Sequence, residues 1–441
     1  MLSVWLEGFD VPIGALSSDV HGAVQFSYAM EWIKNEDSFP LSLSLPLREA
    51  AYGDSATRTF FQNLLPENRR LLSSLLAREQ LDESDLVGIL SHVGADCAGA
   101  VSCLPVGAPP VKRPGNLATD YDILSEPQLI ELIKRMSKRL PMPTEIRFPS
   151  PVAGVRDKLC LTVLYRSSLG LPKVGTGVPT THILKVPNEG DEHEPNLEAA
   201  ASFLAQMCGV DAAKSVFIPF GGINTLLITR FDRVVVGDEV RRIHQEDFAQ
   251  ALRLPPSLKY EHHGTEHLAF NAAAVSKLLD QTAEPLLAKQ KFIIATLFNI
   301  IIGNNDNHAK NHALLYDQGQ RPRFAPLYDL VPTVLDSKYN DHFAFKIGNA
   351  ACRDDLDRKS LIDFAATMGL SEAAFTRFAD RTLRDLIQQI DLRIADFTHP
   401  LKSFADMISG ELHRFNTLLS LNIPLRERDY FQVRGGGWQI S

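Results

Sequence analysis

The sequence predicts an α+β fold built as two lobes, with an extra α+β subdomain in front of them. Three observations predict it. A block rich in strand candidates, interrupted by one helix, spans about 158–236. From about 245 onward the apolar residues recur at helical spacing. Between residues 1–105 and the rest lies PVGAPPVKRPGN (105–116), whose four prolines and two glycines suit neither a regular helix nor a strand. The expected order is an N-terminal α+β subdomain (1–105), a Pro-rich linker (106–116), a mixed β-rich small lobe (117–244), an all-helical C-terminal lobe (245–430) and a tail (431–441) with little regular structure.

Each part has its own signals. In the N-terminal part, SVWLEG, VPIGAL and AVQFSYA read as short extended segments. In LSLSLPL the leucines Leu41, Leu43 and Leu45 alternate with Ser42 and Ser44, the period of a strand with one apolar face. Residues 57–78 read as helix, split or restarted at Pro66. Helical segments around 121–139 follow the linker. The small-lobe strand candidates are 158–165, 181–187, 215–222 and 224–236, with a helix over 197–209. That order of two strands, a helix and two strands is the order of a kinase-like small lobe. The C-terminal helices are expected over 246–253, 267–281, 286–303, 359–368, 371–393 and 402–421.

Composition narrows the function classes. The chain has 441 residues, 45% hydrophobic and 22% charged, with a net charge of −8. An acidic chain is a poor nucleic-acid binder by itself, because phosphates require a positive field. Five scattered cysteines without a CxxC pair read as free thiols of a reducing cytosol rather than a disulfide framework. The N-terminus MLSVWLEGFD lacks the basic-then-apolar pattern of a signal peptide, and the longest apolar run, Phe292 to Ile302, is too short to span a bilayer. The expected location is the cytoplasm.

The chemistry concentrates in PLLAKQKFIIATLFNIIIGNNDNHAKN, 285–311. A helix apolar on all sides belongs in a core. It runs into Gly303 and delivers Asn304, Asn305, Asp306, Asn307, His308, Lys310 and Asn311 at one place. Asp306 and Asn311 are five apart, the interval between the catalytic-loop Asp and Asn of protein kinases. The Asp accepts the proton of an incoming hydroxyl, and the Asn offers a side-chain oxygen to Mg²⁺ beside the transferring phosphate. Asp329, in FAPLYDLVP, has the place of the second, carboxylate metal ligand at the end of an apolar strand. Lys185, flanked by apolar residues in THILKVP, is costly to bury without an anionic partner. ATP phosphates or Glu198 in the next helix would serve. The candidate phosphate loop, SPVAGVRDK, has a single glycine, Gly154. Each residue alone fits a polar loop, an edge-strand lysine or a capping residue. Their joint order carries the expectation of an ATP- and Mg²⁺-dependent kinase. His263 and His267 are spaced as a possible zinc pair, but no third ligand is evident and Gly264 intervenes, so YEHHGTEHL reads as a polar surface loop. Asp191, Glu192, His193 and Glu194 read as a solvated acidic loop.

These residues resemble the HipA family of bacterial serine/threonine kinase toxins. The stretches FSYAMEWIKN, PLSLSLPL, FFQNLLPEN, VAGVRDK, THILKVP, TRFDR, HQEDFAQAL, LPPSLKYE, GNNDNHAKNHALL and PLYDLVPT occur in family order from about residue 20 to 335. The resemblance implies a bilobal protein-kinase-like fold with an extra N-terminal subdomain, and ATP with Mg²⁺ as cofactors. It implies that Lys185 holds the ATP phosphates and that Val152, Ala153, Gly154, Val155, Arg156, Asp157 and Lys158 form the phosphate loop. Asp306 becomes the catalytic base, Asn311 and Asp329 the Mg²⁺ ligands, Arg230 and Phe231 the adenine-contacting hinge, and His308 and Lys310 supports of the loop. It also implies a small helix-turn-helix antitoxin of the HipB kind, operator DNA bound through that complex, and a protein substrate, glutamyl-tRNA synthetase. The family's autophosphorylated serine directly precedes VAG; here Ser150 is displaced by Pro151, which puts autoregulation at Ser150 in doubt. Two other readings compete: a small-molecule phosphotransferase, which shares the five-residue interval, and a catalytically idle co-repressor.

Overall fold

The computed structural model of the chain describes residues 1–66, 69–141, 158–191, 193–317, 321–336, 338, 341–428, 432–433 and 438–439. The expected Ser150 and residues 152–157 of the phosphate loop lie outside them. The chain divides into two compact units. One comprises Met1–Glu192, Ile218–Ser257 and Ala313–Ala325; the other comprises His193–Phe217, Leu258–His312 and Pro326–Ser441.

The first unit begins with β1 (Leu2–Leu6), β2 (Gly14–Ser18) and β3 (Val24–Tyr28), which form an antiparallel sheet in the order β3-β2-β1-β4 once β4 (Val101–Pro105) joins at its edge. The helices α1 (Met30–Ile33), α2 (Asp54–Gln62), α3 (Arg69–Glu79) and α4 (Leu86–Val93) lie between β3 and β4 in sequence. The break between α2 and α3 brackets Pro66, as expected. Val4, Leu16, Phe26, Trp32, Phe60 and Phe61 are fully buried in this subdomain's core.

LSLSLPL is not a strand. Its only bridge joins Ser42 to Leu45. The segment curls around the Tyr28 phenol, which accepts from Leu41 N at 2.8 Å and donates to the Leu45 carbonyl. Leu41 and Leu45 are buried, but so are Ser42 and Ser44. The alternation therefore marks two interior faces, one apolar and one polar. The polar face receives a carboxylate: Ser42 Oγ and Leu43 N (2.9 Å) donate to Glu246, and so does Tyr316 at 2.6 Å.

Burial pushes the Glu246 carboxyl up from 4.5 to about 7. A carboxyl with a raised folded pKa binds more protons folded than unfolded. Its contribution to stability is therefore full below the unfolded value and declines as pH rises from about 4.5 to 7. His244, driven down by burial to about 4, acts in the opposite sense between pH 6.5 and 4. A comparison of variant and parent isolates the carboxyl. Glu246→Gln is expected to raise Tm relative to the parent at pH 8, with the gain shrinking toward pH 5. A gain that does not change with pH would exclude this titration.

The Pro-rich stretch does more than connect. Gly115 and Asn116 form β5, which pairs with a later strand, and Lys112 is buried, donating to the carbonyls of Cys97 (2.7 Å) and Gly99 (3.2 Å). Next comes β6 (Tyr121–Ile123), where the sequence suggested helix; α5 runs Glu126–Ser137, its start set by Pro127 in the first turn. After it come β7 (Lys158–Val163), β8 (Leu169–Pro172), β9 (His182–Lys185), α6 (Glu194–Met207), β10 (Ser215–Phe220) and β11 (Ile223–Thr229). Strands β11-β9-β7-β8-β6 form an antiparallel sheet edged by the Ile218–Phe220 end of β10. Leu159, Leu161, Leu184 and Leu227 pack on Leu129, Leu132 and Ile133 of α5.

The 224–236 run is two strands, because Arg230 Nε and Nη2 clamp Asp232 at 3.0 and 2.8 Å and turn the chain. After that turn β12 (Arg233–Val236) enters a separate sheet, β12-β13-β5, with β13 at Glu239–Arg242. Arg242 at the end of β13 is paired with buried Glu7, so an ion pair ties the N-terminal subdomain into the same unit. Finally, β14 (His244–Asp247) leads into α7 (Phe248–Ala251).

The second unit carries α6, α8 (Ala272–Leu279) and α9 (Pro285–Ile301). The first unit's β15 (Ala313–Tyr316) and β16 (Arg323–Phe324) extend β14 into a three-stranded sheet. The stretch 245–430, expected to be all helical, also holds β14, β15, β16 and a later hairpin. A hairpin of β17 (His342–Ile347) and β18 (Ala350–Cys352) precedes α10 (Arg358–Thr367), α11 (Glu372–Phe378), a π turn at Ala379–Leu383, α12 (Arg384–Ile394) and α13 (Lys402–Leu418). In the tail, Gln432–Val433 pairs with Trp438–Gln439. Among the described residues no helix is long and apolar enough to cross a membrane.

Candidate active site

From Phe292 to Ile302 nearly every residue of α9 and its cap is buried, which fixes the platform from which the polar loop leaves. The helix ends in a Schellman turn. Gly303, with φ +72°, donates to Ile300 O at 3.1 Å, and Asn304 N donates to Asn299 O at 2.8 Å. A Cβ at Gly303 would sit 2.7 Å from Met407 Sδ, in a backbone region that L residues avoid. Gly303→Ala is expected to cost about 2 kcal/mol or more of stability, read as a lowered denaturation midpoint; an unchanged midpoint would contradict the packing seen here.

The apolar contact that often closes such a turn is replaced by an amide pair, Asn304 Nδ2 donating to Asn299 Oδ1 at 2.8 Å. This orients Asn304 for two further bonds. Its Oδ1 accepts from Asp306 N at 3.1 Å, and its Nδ2 also donates to the Asp329 carbonyl at 3.2 Å. One buried carboxamide thus spans the backbones of Asp306 and Asp329. Asn311 Nδ2 donates to the Asp306 carbonyl at 2.8 Å, which directs the amide oxygen to its other side. Tyr328 donates to the Lys310 carbonyl at 2.7 Å, a second tie between the loop and the Asp329 segment. Asp329 does not end a strand. It follows β16 by five residues and has φ +58°, a left-handed conformation that Asp tolerates better than most residues.

His308 and Lys310 are buried within the same loop. Burial and the nearby Lys259 push the His308 imidazole down to about 3, so it is neutral. Its backbone N–H donates to the Asp306 carbonyl at 3.0 Å. His312, brought by burial to about 3, packs against Phe270 and Phe292.

Sequence reasoning missed Tyr260. Its hydroxyl donates to Asp306 Oδ1. Tyr260 heads YEHHGTEHL, the segment set aside as a polar surface loop. His262 and His263 are exposed, yet both rings contact that of Tyr260, and among the described residues no cluster of three or more His, Cys, Asp or Glu side chains is placed to hold a metal ion.

In the first unit, Lys185 stands directly opposite Lys158 across the β9–β7 pair. Leu184 and Val186 belong to the core against α5, so strand alternation puts Lys185 on the other face, together with Lys158. Both ammonium groups are thus carried by the same face of the sheet. Arg230 is buried with its guanidinium on Asp232, and Phe231 follows it in the turn from β11 to β12. Glu198 is buried on α6.

The donor set suits Mg²⁺. One carboxylate and one amide oxygen are hard ligands, and an ion that keeps several waters and phosphate oxygens requires few protein groups.

Two family profiles match, the HipA N-terminal domain over residues 2–104 and the HipA-like C-terminal domain over 150–391. The chain belongs to the HipA family. A Sinorhizobium fredii relative named "Putative kinase Y4mE" is 32% identical over 93% of this chain and 97% of its own length. The serine/threonine-protein kinase toxin HipA of Shewanella oneidensis is 30% identical over 86% of this chain and 87% of its own. Among solved structures, the Shewanella oneidensis MR-1 toxin–antitoxin complex of HipA, HipB and operator DNA is similar, with a TM-score of 0.76, 26% identity and coverage of 95% of this chain and 98% of that one. The mixed α+β, kinase-like fold expected from the sequence is therefore the fold of this HipA-family member.

Proposed function

We propose that this protein is an ATP- and Mg²⁺-dependent serine/threonine protein kinase that acts as a growth-inhibiting toxin. The observation that carries the reading is the hydrogen-bonded unit in which Asn304, Asn311 and Tyr328 hold Asp306 and Asp329 in fixed register. Asp306 accepts the proton of the acceptor serine or threonine hydroxyl. Asn311 and Asp329 hold Mg²⁺, which when bound neutralises charge on the phosphates. Lys185 and Lys158 take the phosphate oxygens, and Arg230 and Phe231 line the adenine side, with the Arg230 side chain left on Asp232. Glu198 supports the nucleotide site, His308 and Lys310 brace the loop, and residues 152–158 are the proposed phosphate-binding residues.

The Shewanella oneidensis complex of HipA, HipB and operator DNA supports a HipB-like antitoxin as partner and operator DNA reached through that complex; the helix-turn-helix character of the antitoxin, a co-repressor role and a cytoplasmic location are further parts of the proposal. An aminoacyl-tRNA synthetase, the glutamyl one, is the proposed substrate. The test is transfer of labelled phosphate from ATP and Mg²⁺ into a bacterial lysate, against the Asp306→Asn variant. A discrete labelled protein that requires Asp306 supports the reading, and its mass identifies the target. Label confined to small molecules, or no transfer by a phosphate-free sample, overturns it in favour of a small-molecule phosphotransferase or an idle co-repressor.

A further inference from the structure

Beyond the groups named so far, we propose that Tyr260 is a positioning residue for the carboxylate of Asp306; this rests on reading Asp306 as the catalytic base. Three observations place it. The phenol donates to Asp306 Oδ1. The ring is braced by imidazoles, edge-on to His308 with centroids 5.1 Å apart and stacked on His262 at 5.3 Å. The residues on either side are tied down: Ala309 N donates to the Lys259 carbonyl at 3.0 Å, and Lys346 N donates to the Glu261 side-chain carboxylate at 2.5 Å.

The segment that carries Tyr260 is thus docked both on the catalytic loop and on β17. The loop sets where the Asp306 backbone lies, through Asn304 and Asn311. Neither residue fixes the rotation of the carboxylate about its last torsion, which is broad for Asp. A donor at Oδ1 does.

A carboxylate offers about four acceptor positions, so the phenol and the acceptor hydroxyl need not compete. In the reaction, the acceptor oxygen forms a bond to the γ-phosphorus as the bond to the ADP oxygen breaks, and the hydroxyl proton passes to the Asp306 carboxylate. Tyr260 keeps its own proton throughout. Its contribution is orientation, which matters because a base must sit within hydrogen-bond reach of the proton it accepts.

The experiment compares full-length parent, Tyr260→Phe and Asp306→Asn. It measures the single-turnover rate of phosphate transfer, so that product release does not mask the chemical step, together with ATP affinity and thermal midpoint. Phenylalanine keeps the ring and its imidazole contacts. The expected result for Tyr260→Phe is a rate lower by roughly ten- to a hundredfold, the loss of one hydrogen bond to a charged group. ATP affinity should stay within about twofold and the midpoint close to the parent's. A parent-like rate overturns the proposal. A faster rate overturns it too, because the phenol would then be blocking the acceptor. Rate and ATP affinity falling in proportion also overturn it, since that pattern marks a collapsed site. Substantial transfer by Asp306→Asn sinks the base assignment itself, which a failure of the Tyr260 proposal alone does not.

Discussion

Asp306→Asn is expected to lower phosphate transfer by about 10²–10⁴-fold while leaving ATP affinity nearly unchanged. The substitution keeps the shape of the side chain and an oxygen that can still accept from Tyr260. It removes the negative charge that draws the proton from the acceptor hydroxyl. The backbone bonds that define the loop, from Asp306 N to Asn304 and from Asn311 to the Asp306 carbonyl, do not involve the altered group. The proposed metal ligands of the same unit, Asn311 and Asp329, should therefore stay in place. Isothermal titration with ATP and Mg²⁺, alongside single-turnover transfer, separates the two quantities. Transfer within tenfold of the parent would remove Asp306 from the role of base.

Lys185→Ala is expected to act differently, weakening nucleotide binding and turnover together. Lys185 is held by the most regular part of the first unit. Its neighbours Leu184 and Val186 are fastened into the core against α5, and its cross-strand partners are Lys158 and Leu226. The strand cannot rotate the lysine away without exposing those apolar residues, because a one-residue change of register reverses every side chain. In the proposed function the Lys185 ammonium meets an ATP phosphate. Removing it should reduce ATP affinity at least about tenfold, the scale of a charge-assisted contact to phosphate. The transfer rate should fall by about 10²–10³-fold, because charge on the phosphates grows toward the transition state. An ATP affinity equal to the parent's, measured on a variant with a parent-like melting curve, would count against the assignment.

Much of the candidate site was legible because it is local. The helix–glycine–polar loop order of 285–311 spells out a buried platform, a stop and a cluster of ligands within one stretch of chain. The apolar periodicity of α9 and the left-handed demand at Gly303 are properties that neighbouring residues impose on one another. Lys185 was legible for the same reason, as a charge inside an apolar strand.

What escaped depends on residues far apart in sequence. Tyr260 meets Asp306 across 46 positions, and Glu246 meets Ser42 across 204. The serines of LSLSLPL looked like the solvent side of a strand because alternation records a change of environment without saying what the second environment is. Here it is a buried carboxylate. Likewise Asp329 was placed at a strand end by its apolar neighbours, whereas the bond from Asn304 to its carbonyl and its left-handed backbone put it in a turn.

By itself, then, the sequence determined the mixed α+β class, the family, the buried helix α9, the lysine between core leucines and the identity of the polar cluster. These follow from periodicity, from Gly and Pro stereochemistry and from the energetic cost of an isolated buried charge. Only the tertiary structure decided that Asn304 ties Asp306 to Asp329, that Lys158 stands opposite Lys185, and that Tyr260 holds the carboxylate. Hydrogen bonds between distant segments are satisfied only once the chain has packed, and no local pattern of residue types records which donor a buried acceptor will meet.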